Sequence, residues 1–294
     1  MTDELWIILV GMLVSSSCAL VGVVLVLRRL SMVGDAISHS ILFGLVVAYL
    51  LVGTRSSLAM FIGAVLSGLF TTFITEELNR RGKLQKDASI GVTFTVLFAI
   101  GVILISGYAS QIDLDQQCVL YGEIAFIPFD RLMFGSLDIG PRAFWELLLV
   151  LVSLITFLWV GFRPLQITAF DPVLSAALGI HVGLWHYLLM TFVSITTVAS
   201  FESVGAILVV AMLVIPANTA YLIAKSIRAM FFYSVIFAII STLVGYYGAK
   251  AYDVSISAAI VCASGTILFL LIIIKNVILS VQRASHMRTK ESHA

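Results

Sequence analysis

Charge is what this chain has least of. Asp, Glu, Lys and Arg make up 11% of its 294 residues, against about a quarter in a soluble domain. With 61% of residues hydrophobic and a mean hydropathy of +1.11, there are too few solvated groups to cover a folded surface in water. That excludes an ordinary soluble domain and points to lipid as the natural solvent. The formal net charge of +1 gives no ground for a nucleic-acid partner or an acidic substrate. Cysteine is scarce too. Cys18, Cys118 and Cys262 lie far apart, so they make neither a disulfide framework nor a CxxC pair, and they read as small buried thiols. Catalytic signatures are missing as well. The chain has no GxxxxGK[ST] loop to cradle ATP phosphates, and without an HExxH or GxSxG motif a membrane hydrolase has no support.

What the chain does have is long apolar runs. A membrane helix needs about 20 mostly apolar residues. Runs at 5–27, 32–53, 57–76, 89–108, 143–162, 184–200, 202–224, 229–249 and 256–280 predict an all-α polytopic bundle of eight or nine spans. The first run follows Asp3 and Glu4 rather than basic residues and lacks an A-x-A-like site, so it reads as a retained span. Between Leu184 and Leu222 the apolar run is nearly continuous, and a broken or re-entrant helix fits as well as two spans. Gly11, Ser15, Ala19 and Gly22 share one helical face, as do Gly63 and Ser67, which predicts close backbone approach. No internal repeat or soluble domain interrupts residues 1–294, which read as one membrane domain with a polar tail, after about Val281, expected to fray. Placing the N-terminus outside puts 13 of the 17 Lys and Arg in inner segments and leaves only Arg55, Arg131, Arg142 and Lys250 outside. Nine spans, N-out and C-in, therefore fit best.

Ionisable groups within or beside the apolar runs are few, and each asks for a reason. Asp35 and His39 stand four residues apart, which places a carboxylate and an imidazole on one helical face. Both are ligands for manganese, iron or zinc; an interfacial cap beside a structural histidine is the alternative. Ser38 and Ser40 flank His39, and Gly34, Ala36 and Gly44 keep the surroundings narrow. Glu202, at the midpoint of the unresolved pair, reads equally as a solvated hairpin residue or as a third carboxyl facing a cavity. Residues 108–142 carry Asp113, Asp115, Glu123, Asp130 and Asp138 against Arg131 and Arg142, a field that favours cations. The segment reads as an acidic outer mouth whose apolar stretches, Cys118–Tyr121 and Phe126–Phe129, fold onto the bundle. In Phe170–Gly179, Asp171 suits an N-cap, Pro172 the first helical position and Gly179 the C-terminal stop. The helix between them, with Leu174 and Ala177, is too short to span and reads as a docking element for a soluble partner or as a plain connector.

The run from Leu27 to Ser40, with Gly34-Asp35-Ala36-Ile37-Ser38-His39-Ser40 at its centre, resembles the signature of the metal-type ABC permeases, membrane subunits of bacterial manganese, zinc and iron importers. Later segments agree in order: Asp87-Ala88-Ser89-Ile90-Gly91, Leu97–Gly101, Asp113-Leu114-Asp115 with Leu120-Tyr121-Gly122, Phe170–Gly179, Val204–Pro216 with Ala220, and Asp253–Ile256. The resemblance covers roughly residues 5–275. It implies a dimer of permeases, identical or paralogous, around a central path. A cytoplasmic ABC ATPase would engage the short inner helix, and an extracytoplasmic metal-binding protein would deliver cargo to the acidic mouth. In that scheme Asp35 and His39 are transient ligands, Glu202 is a weaker third, and the metal is cargo rather than a tightly bound cofactor. Phe43 stands where the family often has proline before Gly44, which leaves the expected kink in doubt.

Affinity order favours zinc over manganese at such sites, whereas the stretches around Glu202 and Pro216 resemble manganese- and iron-type members, so manganese is the expected cargo. A permease for bulky metal chelates, which would not need Asp35 with His39, and an ion-coupled secondary transporter are the competing readings. The orientation is directly testable: a reporter active only in the cytoplasm, fused after Ala294, is expected to be active in whole cells.

Overall fold

The computed structural model describes residues 3–53, 57–108, 124–134 and 137–291. Among the described residues, nine helices are long and apolar enough to cross a membrane. They are α1 (Asp3–Leu27), α2 (Met32–Val52), α3 (Ser57–Arg80), α4 (Lys86–Tyr108), α5 (Arg142–Val160), then α8 (Val182–Val204), α9 (Ala206–Ile223), α10 (Ile227–Tyr252) and α11 (Ile256–Glu291), with two short helices, α6 (Phe162–Phe170) and α7 (Pro172–Ala177), after α5. Large apolar side chains such as Leu51, Ile103, Leu149 and Trp159 point outward, as they do where the surrounding solvent is hydrocarbon.

The stripe of small residues makes α1 the central helix, in contact with α5, α8, α9 and α10. A Cβ on Gly22 would collide with the Leu213 backbone carbonyl of α9. On the same face the Ser15 and Thr242 hydroxyls lie 2.8 Å apart, and the Ser234 hydroxyl donates to the Ala19 carbonyl. These contacts close α1 against α10. The second stripe works likewise between α2 and α3: Gly44 and Gly63 face each other backbone to backbone, and Ser67 donates to the Ser40 carbonyl at 2.7 Å. Without a hydrophobic drive between helices in lipid, such close van der Waals approach and interhelical hydrogen bonding hold a bundle together. The Cys18 thiol is buried beside Ser200; Cys262, expected to be buried, is exposed on α11, and Cys118 lies outside the described residues.

The uncertain stretch between Leu184 and Leu222 proves to be two full-length helices parted at Gly205 alone. Its backbone, at φ 81 and ψ 167, occupies a region open essentially only to glycine. The Gly205 N–H still bonds to the Phe201 carbonyl and the Val209 N–H to the Gly205 carbonyl, so the chain changes direction at a single residue. Three further points concern the course of single helices. α5 ends at Val160 and residues after Gly161 form α6, with the Trp185 ring against Gly161. α2 runs unbroken past Phe43. The backbone of α11 is helical to Glu291, well past the apolar part Ile256–Ile278, since no glycine or proline stops it.

Between α4 and α5 the described chain forms a 3-10 turn, Ile124–Phe129, and a hairpin of β1 (Arg131–Phe134) and β2 (Leu137–Pro141). Ile124 and Ile127 are buried in the bundle while Phe126 and Phe129 are exposed. Arg131 pairs with Asp3 at 2.7 Å and Lys250 with Glu4 at 2.6 Å, so this segment closes the end of the bundle where α1 begins, called here the Asp3 end. The short helices α6 and α7 lie at the other, the Arg28 end.

Gly22→Val is expected to destabilise the protein by about 1–3 kcal/mol through forced separation of α1 and α9. Gly91→Ala, where a Cβ meets open space, is expected to add about 0.5–1 kcal/mol. Thermal unfolding of the two variants in one detergent checks both signs.

Candidate functional site

Asp35 and His39 sit within the first two turns of α2, near the Arg28 end. The side of α2 that packs inward is made of small groups: Gly34 lies under the Leu213 side chain and Gly44 against Gly63. That packing fixes the rotation of the helix and leaves Asp35 and His39 on a face the chain only partly covers. Their side chains are 36% and 35% exposed, and His39 Nε2 lies 3.5 Å from Asp35 Oδ1. Two aromatic rings one turn apart on α4 bracket the imidazole. Phe94 stacks on it at a centroid distance of 5.4 Å and Phe98 meets it edge-on at 6.0 Å. The flanking serines are otherwise engaged: Ser38 donates to the Gly34 carbonyl at 3.0 Å and Ser40 to the Ile37 carbonyl at 2.9 Å, both buried. The polar surface at this point is therefore one carboxylate and one imidazole on an aromatic wall. Among the described residues no group of three or more His, Cys, Asp and Glu side chains is arranged to hold a metal.

The structure does not bring Glu202 to this pair. Glu202 is exposed near the C-terminus of α8, and the charges that act on it are Glu146 and Arg142 at the start of α5 and Asp130 before the hairpin. Those groups belong to the Asp3 end. The 25 residues of α1 separate the two ends by roughly 36 Å at 1.5 Å per residue. Asp113, Asp115 and Glu123 lie outside the described residues.

The Phe170–Gly179 segment forms α7 as its residues foretell. The Asp171 side chain accepts from the Leu174 N–H at 2.9 Å, and Pro172 takes the first helical position. At the other end Gly179 is left-handed, at φ 77; the Gly179 N–H bonds to the Ala176 carbonyl and the Ile180 N–H to the Ser175 carbonyl, both at 3.0 Å. That pair of bonds is the Schellman stop. Within α7 only Ser175 is buried; Val173, Leu174 and Ala177 are exposed, an apolar ridge that none of the described residues covers.

A second polar cluster near α7 went unnoticed in the sequence. Arg28 donates to the Thr168 hydroxyl of α6 at 2.6 Å and lies 3.4 Å from His186 Nδ1 on α8. His186 Nε2 in turn lies 2.7 Å from a Glu76 carboxylate oxygen on α3. A guanidinium only donates, so at the Arg28 contact Nδ1 is the acceptor, while the Nε2 approach to Glu76 is a close contact without the alignment of a hydrogen bond. Burial draws the Arg28 guanidinium below its ordinary pKa, though arginine stays charged at any physiological pH. The available signal was the same scarcity that exposed Asp35: ionisable groups at the ends of apolar runs. These groups line a cavity of about 770 Å³ that also touches Val33 and Ala36 of α2.

Comparison with known proteins places the chain. The model of the ABC 3 transport family matches residues 4–276. The manganese transport system membrane protein MntD of Bacillus subtilis is 46% identical over 265 residues, 90% of each chain. The zinc transport system membrane protein TroD of Treponema pallidum is 40% identical over 266 residues, 90% of this chain and 72% of that one. Among solved structures, PsaBC from Streptococcus pneumoniae in complex with Fab superposes with a TM-score of 0.76 at 29% identity, covering 92% of this chain and 91% of the other.

Asp171→Ala removes the cap of α7 and is expected to cost that helix about 1 kcal/mol, so amide exchange across 172–178 rises about fivefold. Hydrogen exchange read by mass spectrometry gives the answer, with the nine long helices as internal reference.

Proposed function

Because the chain belongs to the ABC 3 transport family, we propose that it is the multi-pass permease subunit of an ATP-binding-cassette importer that moves a divalent first-row metal across the bacterial plasma membrane, manganese being the favoured cargo. It is a transport component; ATP hydrolysis falls to a separate cytoplasmic ABC ATPase. One observation carries the reading: a carboxylate and an imidazole on a single face of a membrane helix, each about one-third exposed and backed by Phe94 and Phe98. Asp35 stands in the first turn of α2, and the partly open face it shares with His39 offers a passing cation a carboxylate and an imidazole together.

Two donors are too few for a first-row metal, which takes four or more. A second permease copy, or a paralogue, supplies the matching pair across a shared central path, and water fills what remains. A sparse, shared donor set suits cargo, because conduction requires binding weak enough for release. Manganese, zinc and iron all accept oxygen with nitrogen donors. The preference for manganese rests on the likeness to relatives named for it, with zinc next.

The positive-inside distribution of Lys and Arg sets the Arg28 end in the cytoplasm. There the exposed ridge of α7, capped by Asp171 and stopped at Gly179, receives the ATPase. At the Asp3 end an extracytoplasmic metal-binding protein delivers the cation. Asp113, Asp115 and Glu123 give that mouth a negative field, together with Asp130, Glu146 and Glu202. Asp35 and His39 hold the ion in passing, and Glu202 acts earlier, on its approach.

The test is accumulation of manganese, zinc and iron in a transporter-deficient bacterium expressing this chain with its operon partners. Asp35→Ala with His39→Ala, at matched membrane expression, is expected to lower uptake at least about tenfold, and deletion of the partner ATPase to abolish it. A double variant that matches wild type returns the pair to a structural role. A wild type that moves none of the three metals turns the reading toward chelates or secondary transport.

A further inference from the structure

Between α7 and the Asp35–His39 pair lies a connected set of polar groups that the proposed function leaves unused. Thr168 sits on α6, three residues before the Asp171 cap of α7, and the Asp171 N–H bonds to the Ile167 carbonyl, so α6 and the base of α7 move together. Arg28 holds Thr168 at 2.6 Å and His186 at 3.4 Å, and His186 holds Glu76 at 2.7 Å. Arg28 is also fixed to α2. It occupies the C-terminal cap of α1 in a Schellman turn: Arg29 is left-handed at φ 56, the Arg29 N–H bonds to the Val26 carbonyl, and the Leu30 N–H bonds to the Leu25 carbonyl. The Val33 N–H then bonds to the Leu30 carbonyl, welding that corner to the first turn of α2. Asp35 lies in that same turn.

We infer that Arg28, with His186 and Glu76, is the relay that passes movement of α7 to Asp35 and His39, so these three residues position the transport site from the ATPase side. The inference rests on the importer reading above. Three features favour a relay over a passive staple. The corner is stiff, so displacement of Arg28 displaces the start of α2 instead of being absorbed in a loop. The cavity of about 770 Å³ between α2, α3 and α8 gives these helices room to shift. Arg28 Nε is buried without a partner, so the guanidinium has a donor free for a second arrangement. A switch needs two arrangements of similar energy, and a network with a spare donor beside a cavity supplies the second.

The experiment is reconstitution of the permease with its ATPase and binding protein in liposomes, reading ATP hydrolysis and manganese uptake together. Arg28→Gln and Glu76→Gln are expected to lower the metal moved per ATP hydrolysed by about tenfold, with hydrolysis within about twofold of wild type. Thr168→Val, which removes the acceptor for Arg28 together with the hydroxyl's own bonds to the Pro164 and Leu165 carbonyls within α6, is expected to fall between. Unchanged ratios in all three variants overturn the relay and leave the importer reading standing. Loss of hydrolysis and uptake together, in proportion to folded complex, makes the cluster a structural staple and also overturns it. A wild-type complex that hydrolyses ATP without moving metal removes the importer reading, and the relay with it.

Discussion

A backbone amide left unpaired in hydrocarbon costs several kcal/mol, and the architecture of this chain follows from that constraint. Among the described residues, nine long helices satisfy their own backbones, and irregular structure is held to the two ends of the bundle and to single residues such as Gly205. There the chain bends through a conformation only glycine adopts while keeping the bond from the Gly205 N–H to the Phe201 carbonyl. The same constraint dictates how helices meet. Lipid tails are as apolar as leucine, so association relies on close approach, and the backbones touch where side chains vanish: Gly22 under Leu213, Gly44 against Gly63.

Close packing on one side of α2 determines what the other side presents. With Gly34 and Gly44 pressed inward, the helix has no freedom to hide Asp35 or His39, and both remain on a partly open face with two phenylalanines behind them. In the proposed importer that incompleteness is useful, since a cation held by one carboxylate and one imidazole per subunit can leave as readily as it arrives. The charged groups then divide by position. Asp130, Glu146 and Glu202 gather at the Asp3 end, and the cluster of Arg28, His186 and Glu76 stands at the opposite end beside α7.

Much of this was legible in the residues. Scarcity of charge and the length of the apolar runs gave the class and nearly all the helices. The cap, proline and glycine of residues 170–179 gave α7 with its limits, because helix ends depend on local chemistry within one turn. The spacing of Asp35 and His39 gave the pair, because residues four apart on a helix are neighbours wherever the helix lies. Less legible were α6, which starts just past Gly161 where the Trp185 ring of a distant helix packs, and the choice between one broken helix and two beyond Leu184, which hung on the backbone of Gly205. Glu202 shows the limit: its sequence context allowed either a hairpin or a cavity, and its surroundings come from α5 and the hairpin, far along the chain.

Sequence by itself determined the solvent, nearly all the long helices, the short capped helix and the Asp35–His39 pair, since each depends on contacts within about four residues or on composition. Only tertiary structure decided that Phe94 and Phe98 flank His39, that Glu202 lies roughly one membrane thickness from Asp35, and that Arg28 reaches Thr168, 140 positions away. Those relations join residues distant in the chain, and they are fixed by how small-residue faces let the helices pack, which no local pattern records.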